Sequence, residues 1–215
     1  MPIQFITPSI ISSVANTQVT GTIIASQIAT VNANTITSGS IPLAQIPQLS
    51  VAKMPGTNSV LQVVQTVKTN TFSAQLAQGV FTDVTGLSVS ITPTSATSKI
   101  LCFIDIGVGH STITTGAANV RLVRGSTPIY IGDAAGSRAQ SIMSFPYIAD
   151  AIYSLFRYSG VFLDSPNTTS STTYKYQIAG QNNTYTVYVN RTHSDDNRWE
   201  DPRVASSITV MEIAA

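Results

Sequence analysis

Charged side chains are scarce in this sequence. Only 10% of its 215 residues are Asp, Glu, Lys or Arg, whereas about 25% is usual in soluble domains. The formal net charge is +1 and no run of Lys or Arg occurs, which argues against nucleic acid as a partner because its recognition needs a basic surface. Thr and Ser take the place of the charges, and both favour strands and turns over helix interiors.

Cysteine and long apolar runs are also lacking. The single cysteine, Cys102, lies in an apolar run and is expected to be a small buried side chain without a disulfide partner. One cysteine and two histidines are too few ligands for a zinc site, and no cofactor is expected. No window reaches the roughly 18 apolar residues of a membrane-spanning helix, so membrane insertion is not expected. The N-terminus lacks the basic start of a signal peptide.

The first 52 residues contain no charged side chain at all. Within them, GTIIASQI at 21–28 is followed eighteen positions later by GSIPLAQI at 39–46, with glycine, two isoleucines and a glutamine in register. Such a unit is too small to bury its apolar face alone, so it must stack on repeats or on other copies of the chain. The pattern predicts the stalk of a homo-oligomeric fibre. It divides the chain into an attachment peptide at 1–20, a stalk with linker at 21–58 and a head domain at 59–215. The alternative for residues 1–20 is a disordered terminus.

From Ser59 onwards the sequence alternates as strands do. No eleven-residue window keeps a helical period, and the short strands are separated by turn residues. This pattern predicts an all-β head, an antiparallel β-sandwich or jelly roll. The predicted strands are Val60–Val67, Val80–Thr92, Lys99–Val108, Asn119–Arg124, Ile129–Ile131, Ile152–Leu163, Thr173–Ala179, Tyr185–Asn190 and Ala205–Ile213.

Two of these strands also suggest where subunits meet. Lys99–Val108 is apolar on both faces, so it is expected in the middle of the sandwich or at a subunit interface. Tyr174 and Tyr176 share one face of their strand. They are expected to fill a subunit interface in preference to forming a saccharide platform.

Four segments of the head resemble the distal domains of bacteriophage tail fibres, notably those of marine and cyanobacterial phages. They are VRLVRGSTP at 120–128, GDAAGSR at 132–138, FLDSP at 162–166 and SSITVMEI at 206–213. The resemblance covers roughly residues 57–215, and the Gly-Thr/Ser-Ile units resemble shafts found upstream of such heads. It implies a virion protein, a homotrimer and a jelly-roll head similar to the C1q/tumour-necrosis-factor shape. It carries over no receptor-binding residue.

One segment of the head, residues 193–203, is dense in charge. It holds six of the twenty-one charged residues and the only tryptophan, and it lies between two predicted strands. An exposed loop at the end of a sandwich is where binding residues tend to lie, and Trp with Arg is typical of recognition surfaces. The candidate receptor-binding residues are Asp195, Asp196, Arg198, Trp199 and Glu200. The alternative is a solvated loop that links subunits through ion pairs of Arg198 or Arg203 with Asp195 or Glu200.

Metal binding and catalysis find little support in the sequence. The loop lacks the Asp/Asn alternation and central glycine of a calcium site. No Gly-x-Ser-x-Gly motif is present, and Gly107-Val108-Gly109 lacks the third glycine of a nucleotide-binding fingerprint. An enzyme is therefore not expected.

Together these features predict a phage tail fibre in the virion that attaches to the host cell surface by multivalent receptor binding. Its expected partners are two further copies of the chain, another virion protein bound through the N-terminus, and a host surface glycan or protein. The alternative is a capsid head fibre or decoration protein, and a small polysaccharide-degrading enzyme is a third possibility.

Overall fold

The computed structural model describes residues 58–111, 117–146, 151–180 and 185–215. The predicted attachment peptide at 1–20, and the predicted stalk and linker up to residue 57, lie outside the described residues. Within the described ranges the fold is built from β-strands, together with one short 3-10 helix at Ala151–Tyr153. The prediction of an all-β head is confirmed.

Eleven strands are described. They are β1 (Val60–Lys68), β2 (Phe72–Leu76), β3 (Thr82–Ile91), β4 (Lys99–His110), β5 (Ala117–Arg124), β6 (Thr127–Ile129), β7 (Met143–Pro146), β8 (Phe156–Asp164), β9 (Thr172–Gly180), β10 (Tyr185–Val189) and β11 (Ser206–Ile213).

The strands form two antiparallel sheets. The first sheet has the order β1-β11-β4-β10-β2, with β8 on the other side of β4. The second sheet has the order β3-β9-β5-β6, and β7 also pairs with β5. One side of β4 is shared by two strands, because β11 pairs with its first half and β10 with its last residues. The chain also passes from one sheet to the other, for example between β2 and β3, as is usual in β-sandwiches.

The core lies between the two sheets and follows from the alternation of side chains along each strand. In β4 the even-numbered residues are buried, including Cys102, which is fully buried as predicted. The largest fully buried side chains are Tyr174, Tyr176, Leu87, Ile91, Ile100, Ile104, Ile106, Leu122, Ile178 and Ile208, together with His110. The core is therefore rich in β-branched residues, as expected for strands that are apolar on their inner face.

Some expectations were wrong. Tyr174 and Tyr176 do not fill a subunit interface, because both are 0% exposed within the core of a single chain. The predicted strand over 152–163 begins only at Phe156, and its first residues belong to the 3-10 helix. Strands β2 and β7 were not predicted. They contain only five and four residues, so their apolar–polar alternation is too short to stand out in the sequence.

Candidate functional site

The charged loop, residues 190–205, connects β10 to β11 and starts at a buried asparagine. Asn190 is 0% exposed and its φ is 65°, a left-handed conformation that asparagine tolerates better than most residues. Its Nδ2 donates to the carbonyl oxygens of Lys68 at 2.8 Å and Asn70 at 3.0 Å. Its Oδ1 accepts a hydrogen bond from the Ser206 hydroxyl at 2.5 Å. The start of the loop is thus fixed to its end and to the turn after β1.

Asn190 and Ser206 also hydrogen-bond to β4, in the gap along that strand between the end of β10 and the start of β11. The backbone N–H of Asn190 donates to the Gly107 carbonyl oxygen at 3.0 Å, and the backbone N–H of Gly107 donates to the Ser206 hydroxyl oxygen at 3.0 Å. The first sheet is therefore bonded across the point from which the loop leaves it. This arrangement gives the loop a rigid base.

Two glycines allow the loop to cross the outer face of β4. A Cβ at Gly109 would lie 2.5 Å from the Arg191 carbonyl oxygen, and one at Gly107 would lie 2.5 Å from Cγ2 of Val204. Both distances are shorter than real Cβ contacts, so only glycine fits beneath the loop as it stands. Gly107 and Gly109, which do not form a nucleotide-binding fingerprint in the sequence, thus have a packing role.

A buried carboxylate holds the two ends of the loop's charged segment together. Asp201 is 9% exposed, and its two oxygens lie 2.9 Å from the Thr192 hydroxyl and 3.2 Å from the Ser194 hydroxyl. The Ser194 amide also donates to the Ile152 carbonyl oxygen at 3.0 Å, which ties the loop to the 3-10 helix. Asp201 consequently has a structural role in the loop.

A cation–π contact and a histidine brace the other side of the loop. The Arg191 guanidinium lies 4.0 Å from the centre of the Tyr188 ring, and the Tyr188 hydroxyl lies 3.0 Å from Nδ1 of His193. Burial lowers the pKa of His193 below its usual 6.5, and the nearby positive charge of Arg191 lowers it further. His193 therefore favours its neutral form, which suits its hydrogen bond to tyrosine and its place beside arginine.

The exposed part of the loop carries ion pairs within one chain. Asp195 Oδ1 accepts hydrogen bonds from Arg203 at 2.9 Å (Nε) and 2.6 Å (Nη2). Arg191 lies 3.7 Å from the other Asp195 oxygen, and Arg198 lies 3.5 Å from Asp196. Arg203 and Asp195, predicted to pair between subunits if the loop links them, thus already pair within the chain. A single exposed pair contributes little stability, but several that share a carboxylate restrict the loop.

The structure brings together three of the five predicted site residues. Asp195, Asp196 and Arg198 line a depression of about 300 Å³ together with Asn197, Asp201 and Arg203. Trp199 and Glu200 lie next to it along the chain but do not line it. Trp199 is 98% exposed, so nearly the whole indole is presented to solvent from a braced loop. No group of three or more Asp, Glu, His or Cys side chains among the described residues is arranged to hold a metal ion.

A second depression was not predicted from the sequence. It has a volume of about 540 Å³ and lies beside the second sheet, where its lining includes Phe81, Asn119, Arg138, Ser141 and Ser144. Next to it, the Arg121 guanidinium lies 3.8 Å from the centre of the Phe81 ring. These residues come from separate segments that only the fold brings together, although Arg138 ends the GDAAGSR segment noted in the sequence.

No family model matches this chain, and no curated protein is similar enough to count as a match. Among solved structures, the chain is similar to the VP2 subviral particle of infectious bursal disease virus, with a TM-score of 0.34 and 15% identity over 71% of this chain and 32% of that one. It is also similar to the structure of the Gx strain of the same virus, with a TM-score of 0.31 and 13% identity over 72% and 37% of the two chains.

The chain thus spans about a third of the length of the structures it matches. At this identity and TM-score the likeness assigns neither a family nor a function. Among the described residues, no helix has the length and apolar character needed to cross a membrane. What the structure shows is a two-sheet antiparallel β-sandwich with a braced, tryptophan-bearing loop.

Proposed function

We propose that this chain is a bacteriophage virion fibre protein, a tail fibre, whose β-sandwich head attaches the virion to the host cell surface. The proposal rests on the resemblance of four head segments to tail-fibre distal domains and on the uncharged repeat that precedes the head. The head acts as one of three in a homotrimer, and the N-terminal residues attach the fibre to another virion protein. The proposed mechanism involves no chemical step.

Trp199 is the observation that carries the attachment role. A tryptophan is seldom left 98% exposed, because burying its large apolar surface is favourable. Trp199 lies on the same loop as Asp195 and Asp196, which line the neighbouring depression. A loop that carries an aromatic ring and carboxylates can stack the ring on a sugar while the carboxylate oxygens accept its hydroxyl hydrogens. Three such sites in one fibre bind more tightly than one, since the second and third contacts form within a tethered complex.

The bracing of the loop supports the same role. Ordering a flexible loop on binding costs free energy, and a loop held in place beforehand avoids that cost. Asn190, Asp201 and the Arg191–Tyr188 contact hold the loop without using Trp199. The loop thus presents one free aromatic side chain from a fixed support, as recognition sites require.

Binding of purified full-length protein to immobilised lipopolysaccharide and capsule from a panel of bacteria that includes cyanobacteria tests this function. We expect Trp199→Ala to weaken apparent binding to the best surface by tenfold or more, because the effect of a lost contact is multiplied in a trimer. The matched variant is Arg138→Ala, which removes another exposed side chain at the second depression. Equal binding by Trp199→Ala and wild type, or a loss confined to Arg138→Ala, would contradict the role of the charged loop.

A further inference from the structure

The outer face of the first sheet carries a set of apolar side chains that the described residues leave uncovered. Strand register aligns Val63 of β1, Met211 of β11, Leu101 of β4 and Leu163 of β8 in one row across four strands. The next row contains Gln65, Thr209, Phe103 and Val161. We call the apolar members of these two rows the outer belt: Val63, Leu101, Phe103, Val161, Leu163 and Met211.

The outer belt is exposed to a degree that is unusual for such residues. Val63, Val161 and Leu163 are 54%, 52% and 53% exposed, and Phe103 is 40% exposed. Single exposed apolar residues are common, but a contiguous apolar patch on a sheet marks a surface that binds something. The belt gathers its members from four neighbouring strands, so it is a patch.

No charged side chain lies in either row of the belt. The nearest charges on the same face belong to Lys99, two residues from Leu101 on β4, and to Asp105 and Arg157, which form an ion pair with each other. A surface without net charge can meet a copy of itself without like-charge repulsion, whereas a charged surface needs a partner of opposite sign. The belt is therefore compatible with self-association.

Within the part of the chain that the structure describes, only one end of this face is covered. At Gly107 and Gly109 the charged loop and the segment before β8 pass directly over β4. The belt begins at Phe103, four residues before Gly107 on β4 and beyond the Asp105–Arg157 pair. The covered end and the belt thus belong to the same face of the sheet. Among the described residues, no segment packs over the belt.

The edge of the sheet beside the belt is also open. Among the described residues β8 pairs with β4 alone, and its sequence FRYSGVFLD contains neither lysine nor proline. Edge strands of stable monomers are usually protected by such residues or by a covering segment. Val161 and Leu163 lie on this strand, so the open edge and the apolar face form one continuous surface.

We infer that the outer belt and the edge of β8 form the interface between copies of this chain. Four strands about 4.8 Å apart and two rows that each take about 6.8 Å of strand length give the belt roughly 260 Å² in projection. This is about a third of the about 800 Å² that each partner buries in a stable complex, and the open edge of β8 adds to it. The inference specifies the surface used in the proposed homotrimer and does not depend on what Trp199 binds.

Val80 provides a matched control for a test by thiol labelling. It is 53% exposed and lies between β2 and β3, away from the belt, whereas Val161 is 52% exposed within it. The native Cys102 is expected to react little with the maleimide, because it is fully buried and burial raises its pKa to about 12. Full-length Val161→Cys and Val80→Cys proteins would be alkylated with a maleimide under native conditions, and their molar masses measured by sedimentation.

We expect both proteins to have the mass of several chains and Val161→Cys to react at least tenfold more slowly than Val80→Cys. Leu163→Cys should behave as Val161→Cys does, since both side chains lie in the belt. Equal rates at the two positions would overturn the inference, because the belt would then be open in the assembled protein. Slow labelling of Val161→Cys in a protein with the mass of one chain would also overturn the inference, since residues of the same chain would then shield the belt. These labelling rates do not depend on whether Trp199→Ala loses glycan binding. A failure of the proposed function and a failure of this inference can therefore be distinguished.

Discussion

At the scale of single residues, Gly109 shows how one missing side chain shapes the candidate site. A Cβ there would lie 2.5 Å from a backbone oxygen of Arg191 and 3.2 Å from Cα of Thr192, and backbone atoms cannot rotate away as a side-chain tip can. We expect Gly109→Ala to lower the free energy of unfolding by about 1–3 kcal/mol and to disturb the charged loop. Thermal unfolding with Gly132→Ala as the control checks this, since a Cβ at Gly132 meets nothing within 4 Å.

If Gly109→Ala were as stable as wild type, the loop would have room to move away from β4. Its rigid support would then be in doubt. Retained stability together with reduced binding in the same variant would show that the loop had shifted without strain elsewhere.

Glu212 predicts how stability depends on pH. Burial raises the pKa of this carboxyl, but hydrogen bonds donated by Gln62 and Thr94 lower it more, so the net pKa lies below the usual 4.5. A carboxyl with a lowered pKa stabilises the fold above its unfolded pKa, and that contribution is lost as the pH falls through the folded value. We expect Glu212→Gln to be less stable at pH 7 by about 1–3 kcal/mol and to lose less further stability than wild type below about pH 4.5.

Thermal unfolding measured from pH 7 to pH 3 makes the comparison. The other glutamate of the chain, Glu200, is exposed on the charged loop, so Glu200→Gln serves as the control and should follow the wild-type curve. Parallel curves for Glu212→Gln and wild type would mean that Glu212 does not contribute to the acid sensitivity.

At the scale of elements, a partly buried ion pair links the two sheets. Arg124 at the end of β5 lies 2.7 Å from Asp164 at the end of β8, and the Tyr174 hydroxyl of β9 donates to the same carboxylate at 2.7 Å. Asp164 is 5% exposed, so removal of the guanidinium would leave a buried charge with fewer partners. We expect Arg124→Ala to cost about 2–4 kcal/mol of unfolding free energy.

The exposed pair Arg157–Asp105 provides the matched comparison. The side chain of Arg157 is 52% exposed, and exposed pairs contribute about 1 kcal/mol or less. Denaturant unfolding of Arg124→Ala and Arg157→Ala should therefore give clearly different losses. Equal small losses would indicate that water replaces the guanidinium beside Asp164.

The elements also show what the sequence could predict. The strands β1, β4 and β11 alternate clearly between apolar and polar residues or are apolar throughout, and the sequence located each within two residues. The strand β7 consists of four residues and ends in a proline, so its pattern was too short to detect. The apolar residues at 152–155 were assigned to a strand because periodicity does not separate a short 3-10 turn from the start of a strand.

The site could be predicted only where it is contiguous. The charge density of residues 193–203 and the single tryptophan indicated an exposed loop. The residues that hold the loop in place did not stand out, because Asn190 contacts Lys68 across 122 positions and Asp201 resembles its exposed neighbours. The outer belt was likewise hidden, since its rows exist only once the register of four strands is known.

At the scale of the whole molecule, the low charge content is consistent with the surfaces that the fold creates. An open apolar face needs few charges around it if it is buried on assembly, and Thr and Ser can occupy the remaining strand positions without weakening the sheets. The sequence predicted that a strand with two apolar faces would lie mid-sandwich or between subunits. In a single chain β4 has one face in the core and one partly exposed, as Ile104 and Phe103 show.

The hydrogen bonds that Asn190 and Ser206 make with Gly107 have one more consequence. They close the gap between β10 and β11 along β4, so the hydrogen-bond ladder of the sheet does not depend on the residues between them. Insertions or wholesale replacement at that position would alter what the head presents while the sandwich kept its register. A grafted segment that preserved Asn190 and Ser206 is expected to leave the same scaffold intact while it changes the surface that the scaffold displays.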